Sequence, residues 1–168
     1  YIWGSNASKE YTNTATIHSS GNADVSDTAK KTFQSTVIAK AASGYDYSTH
    51  LIHYTITVNQ NKMEMNNVIV TDPMDPRLEY VKGSYSGAGI ATYDEAANNV
   101  TFAFDSITDE TVIEFDARVR DGAVFENNGS FYIENEAFVV SLEYPGETKA
   151  SVKTDITNRV IAKQGKRT

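Results

Sequence analysis

Cysteine is absent from the 168 residues of this chain. Its absence excludes disulfide bonds, zinc sites built on thiolates and cysteine nucleophiles. No apolar run approaches the ~20 residues that a membrane-spanning helix needs, and residues 1–30 show no secretory signal peptide. We therefore expect a piece cut from a longer chain, with no membrane insertion in this piece.

An excess of positive charge is also lacking. Lys and Arg number 15 against 22 Asp and Glu, which gives a formal net charge of −7. Because no basic stripe offsets phosphate repulsion, the composition argues against a nucleic-acid partner. We predict no cofactor and no resident metal.

Few residues could bind a metal. His50 and His53 fall on opposite faces of one predicted strand, so we interpret them as surface residues. Asp72, Asp75 and Glu79 could offer oxygen ligands to calcium, but they lack the glycine and glutamate spacing of an EF-hand.

What the chain has in quantity is the alternating pattern of β-strands. In 51–59, apolar side chains occupy every second position, which is typical of a half-buried strand. We predict strands at 34–40, 51–59, 66–72, 78–82, 90–93, 99–104, 110–119, 131–143 and 148–163, another alternating stretch at 11–17, and a polar loop or linker at 19–32. Without a convincing helical period, this predicts an antiparallel, immunoglobulin-like β-sandwich.

The sequence also contains an internal repeat. The string VIAK ends at Lys40 and again at Lys163, 27 residues after Asn13 and 28 residues after Asn135, and each Asn begins an Asn-x-Ala motif. This spacing predicts modules of about 123 residues. Residues 1–32 would be the end strand and linker of a preceding module, or appended residues; 33–158 would be a complete module, and 159–168 the start of the next.

Each neighbouring module would leave in this chain one of the two residues that form its Lys–Asn pair. Asn13 and Lys163 would each belong to a bond with a neighbour and stay unpaired here. In a less favoured alternative, the 11–17 strand packs back onto 160–168.

Three polar residues on three separate strands alternate in step with the apolar residues, so each is expected on the core-facing side of its strand: Lys40, Asp72 and Asn135. If they meet in a dry core, burial lowers the pKa of the lysine and raises the pKa of the aspartic acid. A neutral amine could then attack the asparagine amide, with Asp72 as general acid and base. The product would be a Lys–Asn isopeptide bond, with ammonia released.

Each residue also has an ordinary structural interpretation. Lys40 could extend to solvent at a strand end, Asp72 could begin a turn before Pro73, and Asn135 could satisfy backbone groups at a bulge. A different register of the late strand would shift the amide role to a nearby asparagine: Asn127, Asn128 or Asn158.

At these residues the chain resembles the intramolecular-isopeptide domains of Gram-positive surface proteins, of the collagen-adhesin type. The similar elements, within 33–145, are VIAK, HLIHYTITVN, NVIVTD and a late strand with Asn before Ala. The resemblance implies that Lys40 is the amine, Asp72 the catalytic proton shuttle and Asn135 the amide partner.

The resemblance further implies an extracellular, cell-wall-anchored adhesin, pilin or stalk, although the sequence holds no LPxTG-type sorting motif. Its expected partners are neighbouring modules of the same chain, with a host extracellular-matrix protein or a glycan as candidate ligands. The rival hypothesis is a carbohydrate-binding sandwich without a cross-link, which needs a coplanar platform from loop tyrosines such as Tyr45, Tyr47, Tyr80, Tyr85 and Tyr93. A turnover enzyme is disfavoured, because the reactive residues would consume themselves.

Overall fold

A computed structural model of the chain describes residues 4–126 and 129–158. The described elements, in chain order, are β1 (Ala7–Ile17), β2 (Val25–Ser35), β3 (Ile38–Asp46), β4 (Leu51–Val58), β5 (Met65–Pro73), β6 (Leu78–Tyr80), β7 (Ile90–Asp94), β8 (Asn99–Ile107), β9 (Thr111–Val119), α1 (Asp121–Glu126), β10 (Gly129–Val140) and β11 (Thr148–Asn158). The paired strands run antiparallel. The predicted all-β, antiparallel fold is confirmed.

Two sheets form an immunoglobulin-like sandwich. One sheet has the strand order β3-β4-β9-β6, and the other has the order β11-β10-β5-β8-β7. Alternation along each strand places one face in the core, as β4 illustrates, where Ile52, Tyr54 and Ile56 are buried and His53 is exposed. The apolar side chains from both sheets pack in one core between them.

The strands that contribute the core agree best with their predicted positions. β4, β5, β8 and β9 match the predictions for 51–59, 66–72, 99–104 and 110–119 within a few residues at each end. Residues 159–163, at the end of the predicted 148–163 strand, lie outside the described residues, as does Lys163.

The predicted strand at 34–40 is interrupted at residues 36 and 37, between the end of β2 and the start of β3. At the break, the Thr36 backbone N–H donates to Asn61 Oδ1 at 3.0 Å, and the Val37 N–H donates to Asn6 Oδ1 at 2.8 Å. Side chains distant in sequence therefore take the place of strand-to-strand backbone hydrogen bonds at residues 36 and 37. The local alternation of apolar residues cannot predict such contacts.

The predicted loop at 19–32 is wrong over most of its length. β2 pairs with β1 along the full length of both strands, from Ala7↔Ser35 to Ile17↔Val25. This hairpin is exposed almost throughout, and charged residues such as Asp27 and Lys31 interrupt the apolar positions of β2, so the segment resembles a polar loop. The described partner of β1 is therefore β2, and the alternative partner, 160–168, lies outside the described residues.

A short helix, α1, follows β9, although the sequence shows no convincing helical period. Six residues are too few to display a helical period. Within 4–126 and 129–158, no helix has the length and apolar character needed to cross a membrane.

Candidate functional site: a buried Lys–Asp–Asn cluster

Three strands from both sheets position the candidate residues. Lys40 lies on β3, an edge strand of the four-stranded sheet, while Asp72 lies on β5 at the centre of the opposite sheet. Asn135 lies on β10, which pairs with β5 through Val139↔Val70. Since alternate residues share a face, Asn135 and Asp72 point into the core from neighbouring strands. β3 packs against β10 and β11, which lets Lys40 reach across to the same place.

The cluster is sealed from water. The Lys40 and Asp72 side chains are each 0% exposed, and Asn135 is 1% exposed. Lys40 Nζ donates a hydrogen bond to Asp72 Oδ2. The prediction that these residues occupy the core is confirmed, and their ordinary interpretations as a surface lysine and a turn residue do not fit this burial.

The Asn135 amide is the unsatisfied member of the cluster. It lies close enough to Asp72 to favour the ionised carboxylate, but it does not complete a hydrogen bond with it. Among the described residues, neither Asn135 Nδ2 nor Asn135 Oδ1 has a hydrogen-bond partner, and the same is true of Asp72 Oδ1. Leaving a buried amide unpaired costs on the order of 1–3 kcal/mol, so a structural role alone does not account for Asn135.

Two aromatic rings line the lysine. Lys40 Nζ lies 5.0 Å from the centre of the Tyr54 ring and 5.8 Å from that of Phe115. Both rings are buried, and they pack against each other at 5.6 Å. These rings keep water away from the amine. Both rings lie on strands that the sequence predicted, but nothing in the sequence connects them with the site.

Burial shifts the two ionisable groups towards their neutral forms. Desolvation lowers the pKa of Lys40, and the attraction of the Asp72 carboxylate opposes this shift. Desolvation likewise raises the pKa of Asp72, opposed by Lys40 and Asn135. Transfer of one proton from the ammonium to the carboxylate therefore leaves a neutral pair that a dry core favours.

Two further hydroxyl groups lie at the edge of the cluster and were missed from the sequence. Burial raises the pKa of Tyr54, and a hydroxyl group on β11, that of Thr154, lies near enough to oppose the shift. Neither hydroxyl has a completed hydrogen bond within the described part of the chain. The alternating pattern of β11 could have placed Thr154 on the inner face, but nothing in the sequence links it to Tyr54.

The remaining candidates are separate from this cluster. His50 and His53 are exposed and contact Asp121 and Asp116 at 2.9 Å and 2.8 Å, in agreement with the surface interpretation. Asp75 accepts hydrogen bonds from the Arg77 guanidinium through both carboxylate oxygens. Within 4–126 and 129–158, no group of three or more potential ligands could hold a metal ion.

One of the three alternative asparagines lies within the described residues, and it contacts a different part of the chain. Asn158 donates to the Val124 carbonyl oxygen near α1. Asn127 and Asn128 lie outside the described residues. Of the two described candidates, Asn135 is the one that lies beside Asp72.

The loop tyrosines do not pair as a flat platform. The Tyr45 and Tyr47 rings meet at 73°, and the Tyr80 and Tyr93 rings at 47°. A sugar ring that stacks on two side chains needs them nearly coplanar, so these two pairs do not favour the carbohydrate-binding hypothesis.

Solved structures share this architecture. The RrgA Jo.In complex aligns with a TM-score of 0.55 at 14% identity, over 74% of this chain and 79% of that one. The Enterococcus faecalis MSCRAMM ACE, described as binding its ligands by the collagen Hug model, aligns with a TM-score of 0.52 at 12% identity, over 88% and 59%. The fold is of the collagen-adhesin type.

A third structure extends the comparison to another adhesin. The N-terminal domain of the Streptococcus gordonii adhesin Sgo0707 aligns with a TM-score of 0.51 at 13% identity, over 77% of this chain and 35% of that one. No protein-family model and no curated protein sequence matches the chain. At these identities the collagen-adhesin-type resemblance concerns the fold.

Proposed function

We propose that this chain is a structural or adhesive module of an extracellular Gram-positive surface protein, stabilised by an isopeptide bond between Lys40 and Asn135. The observation that carries the proposal is the contact of two fully buried, oppositely charged groups beside an unsatisfied amide. The fold shared with adhesin domains supports the role in a surface protein.

The bond would form by exchange of one amide for another. Proton transfer within the pair leaves Lys40 as a neutral amine and Asp72 as a carboxylic acid. The Lys40 nitrogen attacks the Asn135 side-chain carbonyl carbon, while Asp72 donates its proton to the carbonyl oxygen. Asp72 then accepts a proton from the attacking nitrogen.

Collapse of the tetrahedral intermediate completes the exchange. Asp72 passes the proton from the attacking nitrogen to the departing amide nitrogen, and the bond from this nitrogen to the carbonyl carbon breaks. The proton on the carbonyl oxygen then moves through Asp72 to the released ammonia, which leaves as ammonium. Lys40 is then joined to Asn135 by a secondary amide. Asp72 ends in the carboxylate form in which it began, so it acts as a catalyst for one turnover.

The fold supplies the conditions for a slow reaction to succeed. Packing in the core holds amine and amide together, which replaces a bimolecular encounter by an intramolecular one. The Tyr54 and Phe115 rings exclude the water that would restore the charged forms of the pair.

The bond would resist both unfolding and force. It would link β3, which opens the sandwich, to β10, near its end, and would close a loop of nearly one hundred residues. By the chain-entropy model, a cross-link over such a loop stabilises by about 4–5 kcal/mol. A force between the two ends of the module would pass through the bond and spare the strands between β3 and β10.

Intact mass of the purified chain tests the bond. The unaltered chain is expected to weigh one ammonia less than its sequence mass, while Lys40→Ala, Asp72→Ala and Asn135→Ala should each match theirs. Lys149→Ala, which removes an exposed lysine of β11, is the matched control and should keep the ammonia loss. An unaltered chain at its full sequence mass would contradict the proposal.

Binding measurements separate an adhesin from a stalk. If the module is adhesive, the isolated chain should bind immobilised extracellular-matrix protein or glycan. A passive stalk or pilin module should bind neither and should show only resistance to mechanical unfolding. Binding to polysaccharide by a chain of full sequence mass would favour the carbohydrate-binding hypothesis instead.

A further inference from the structure

The hairpin β1–β2 has the register of the hairpin β10–β11. Asn13 pairs with Ala29 in the first hairpin, and Asn135 pairs with Val152 in the second. The two asparagines are 122 residues apart, and their cross-strand partners are 123 residues apart. The VIAK strings that follow the two hairpins are also separated by 123 residues. The repeat thus covers two paired strands, not only a short motif.

The two faces of β1–β2 differ as they would in a sheet with one buried side. The face with Asn13 also carries most of the apolar residues: Tyr11, Ala15, Ile17, Val25, Ala29 and Phe33. The opposite face is polar, with contacts such as Thr14 to Thr28 at 3.0 Å and Thr16 to Ser26 at 2.8 Å. Antiparallel sheets with one face in a core show this division.

The face with Asn13 lacks a cover in the described part of the chain. Ile17 is 70% exposed and Val25 is 68% exposed, whereas Val139, the counterpart of Ile17, is buried in the core. A two-stranded hairpin alone is at best marginally stable in water. The exposed apolar face is therefore a surface that a second sheet would stabilise.

We propose that β1–β2 is the closing hairpin of another sandwich module, which supplies counterparts of β3 and β5 to cover the Asn13 face. The proposal rests on the proposed Lys40–Asn135 chemistry, since it assigns Asn13 the role of the amide in an equivalent bond. A lysine amine of the covering strands attacks the Asn13 side-chain carbonyl carbon, the carbon–nitrogen bond of the amide breaks, and ammonia leaves with the proton that the amine gives up.

The face with Asn13 also carries three charged residues, Lys9, Asp27 and Lys31. Lys31 pairs with Tyr11 and so occupies the position of Thr154, which pairs with Ile133. A lysine covered by a sheet needs an opposite charge. The covering strands should therefore carry a carboxylate for Lys31 in addition to the lysine and the catalytic carboxylate.

A lengthened chain tests this assignment. A second copy of residues 36–128, joined ahead of residue 4, provides the missing strands, including a second Lys40 and a second Asp72. This lengthened chain is expected to lose two ammonias, whereas the unaltered chain loses one. Peptide mapping should find the added lysine joined to Asn13.

Matched variants identify the residue responsible. In the lengthened chain, Asn13→Ala should reduce the loss to one ammonia, and Thr14→Ala, on the opposite face, should leave it at two. The added strands include those of the sheet that covers Thr154, and Lys31 occupies the position equivalent to Thr154. The same measurements are therefore repeated with Lys31→Thr, which places a threonine there. Loss of a single ammonia by both lengthened chains would overturn the proposal.

Two further readouts separate this proposal from the previous one. If the unaltered chain loses no ammonia, the proposed Lys40–Asn135 bond fails. Docking of the hairpin is then judged by hydrogen exchange, and unchanged exchange of β1–β2 in the lengthened chain would overturn the present inference too. Analytical sedimentation tests whether a second copy of the chain covers this face. If the unaltered chain is a dimer and Ile17→Asp makes it a monomer, the face belongs to that second copy and the module proposal is overturned.

Discussion

Two hairpins with the same register lie in opposite surroundings. In β10–β11, the face with Asn135 is covered by the four-stranded sheet and belongs to the core. In β1–β2, the face with Asn13 is exposed in the described structure. Both hairpins carry exposed Lys–carboxylate pairs, such as Lys30–Glu10 and Lys149–Glu136, but only β10–β11 lies beside the buried pair Lys40–Asp72 among the described residues. The difference shows that equal strand pairing leaves two asparagines in opposite environments, because burial depends on what covers the hairpin face.

The buried ion pair should give the largest effect on stability. In an Asn135→Ala background, where no cross-link can form, Asp72→Ala is expected to lower the free energy of unfolding by about 3–5 kcal/mol, because it leaves a buried ammonium without a partner. Urea unfolding measures the loss. A decrease below about 1 kcal/mol would show that water reaches Lys40 and would remove the contrast with the exposed pair.

The same substitution at two positions should separate the two hairpins. Ile133→Ala in β10 is expected to cost about 2–5 kcal/mol, because it opens a cavity in the core. Ile17→Ala at the exposed end of β1 should change the free energy of unfolding by about 0.5 kcal/mol or less. Thermal unfolding of the two variants checks the difference, and equal destabilisation would show that the hairpin face is already covered in solution.

The pH dependence of stability should reveal the shifted pKa values. In the Asn135→Ala chain, the raised pKa of Asp72 means that the folded state keeps a proton that the unfolded state releases. Stability should therefore be lost as pH rises from 3.8 through the folded-state pKa of Asp72. Because the pKa of Lys40 is lowered, stability should be regained as pH rises from the folded-state pKa towards 10.5.

Other groups also titrate, so the pH measurement needs a reference. A chain with Lys40→Met and Asp72→Leu added to Asn135→Ala has no ionisable group in the cluster. The difference between the two unfolding curves isolates the pair, and a flat difference between pH 4 and pH 10 would contradict the inferred shifts.

The exposed pair should give the smallest effect. Lys30→Ala removes the partner of Glu10, which contacts Lys30 at 3.0 Å on the surface of β1–β2. We expect a change of about 1 kcal/mol or less, reduced further by salt, because exposed ion pairs are well solvated. A loss comparable to that of Asp72→Ala would show that the hairpin pair is buried in an assembly.

Sequence reasoning succeeded where burial leaves a periodic record. The alternation in 51–59 and 66–72 placed β4 and β5, and it placed Asp72 on the inner face of β5. It failed for β2, because Asp27 and Lys31 interrupt the apolar positions of an exposed strand. It also failed at the break before β3, where Asn6 and Asn61 hold the backbone from distant positions.

The sequence by itself determined the strands of the sandwich and the identity of the three residues that share phase with its core. The tertiary structure decided that Lys40 meets Asp72 across two sheets, beside an Asn135 amide with no completed hydrogen bond and under the Tyr54 ring. Period-2 alternation reports only which face of a strand is buried. Contact between faces, and with it desolvation and the pKa shifts, arises only when the two sheets pack together.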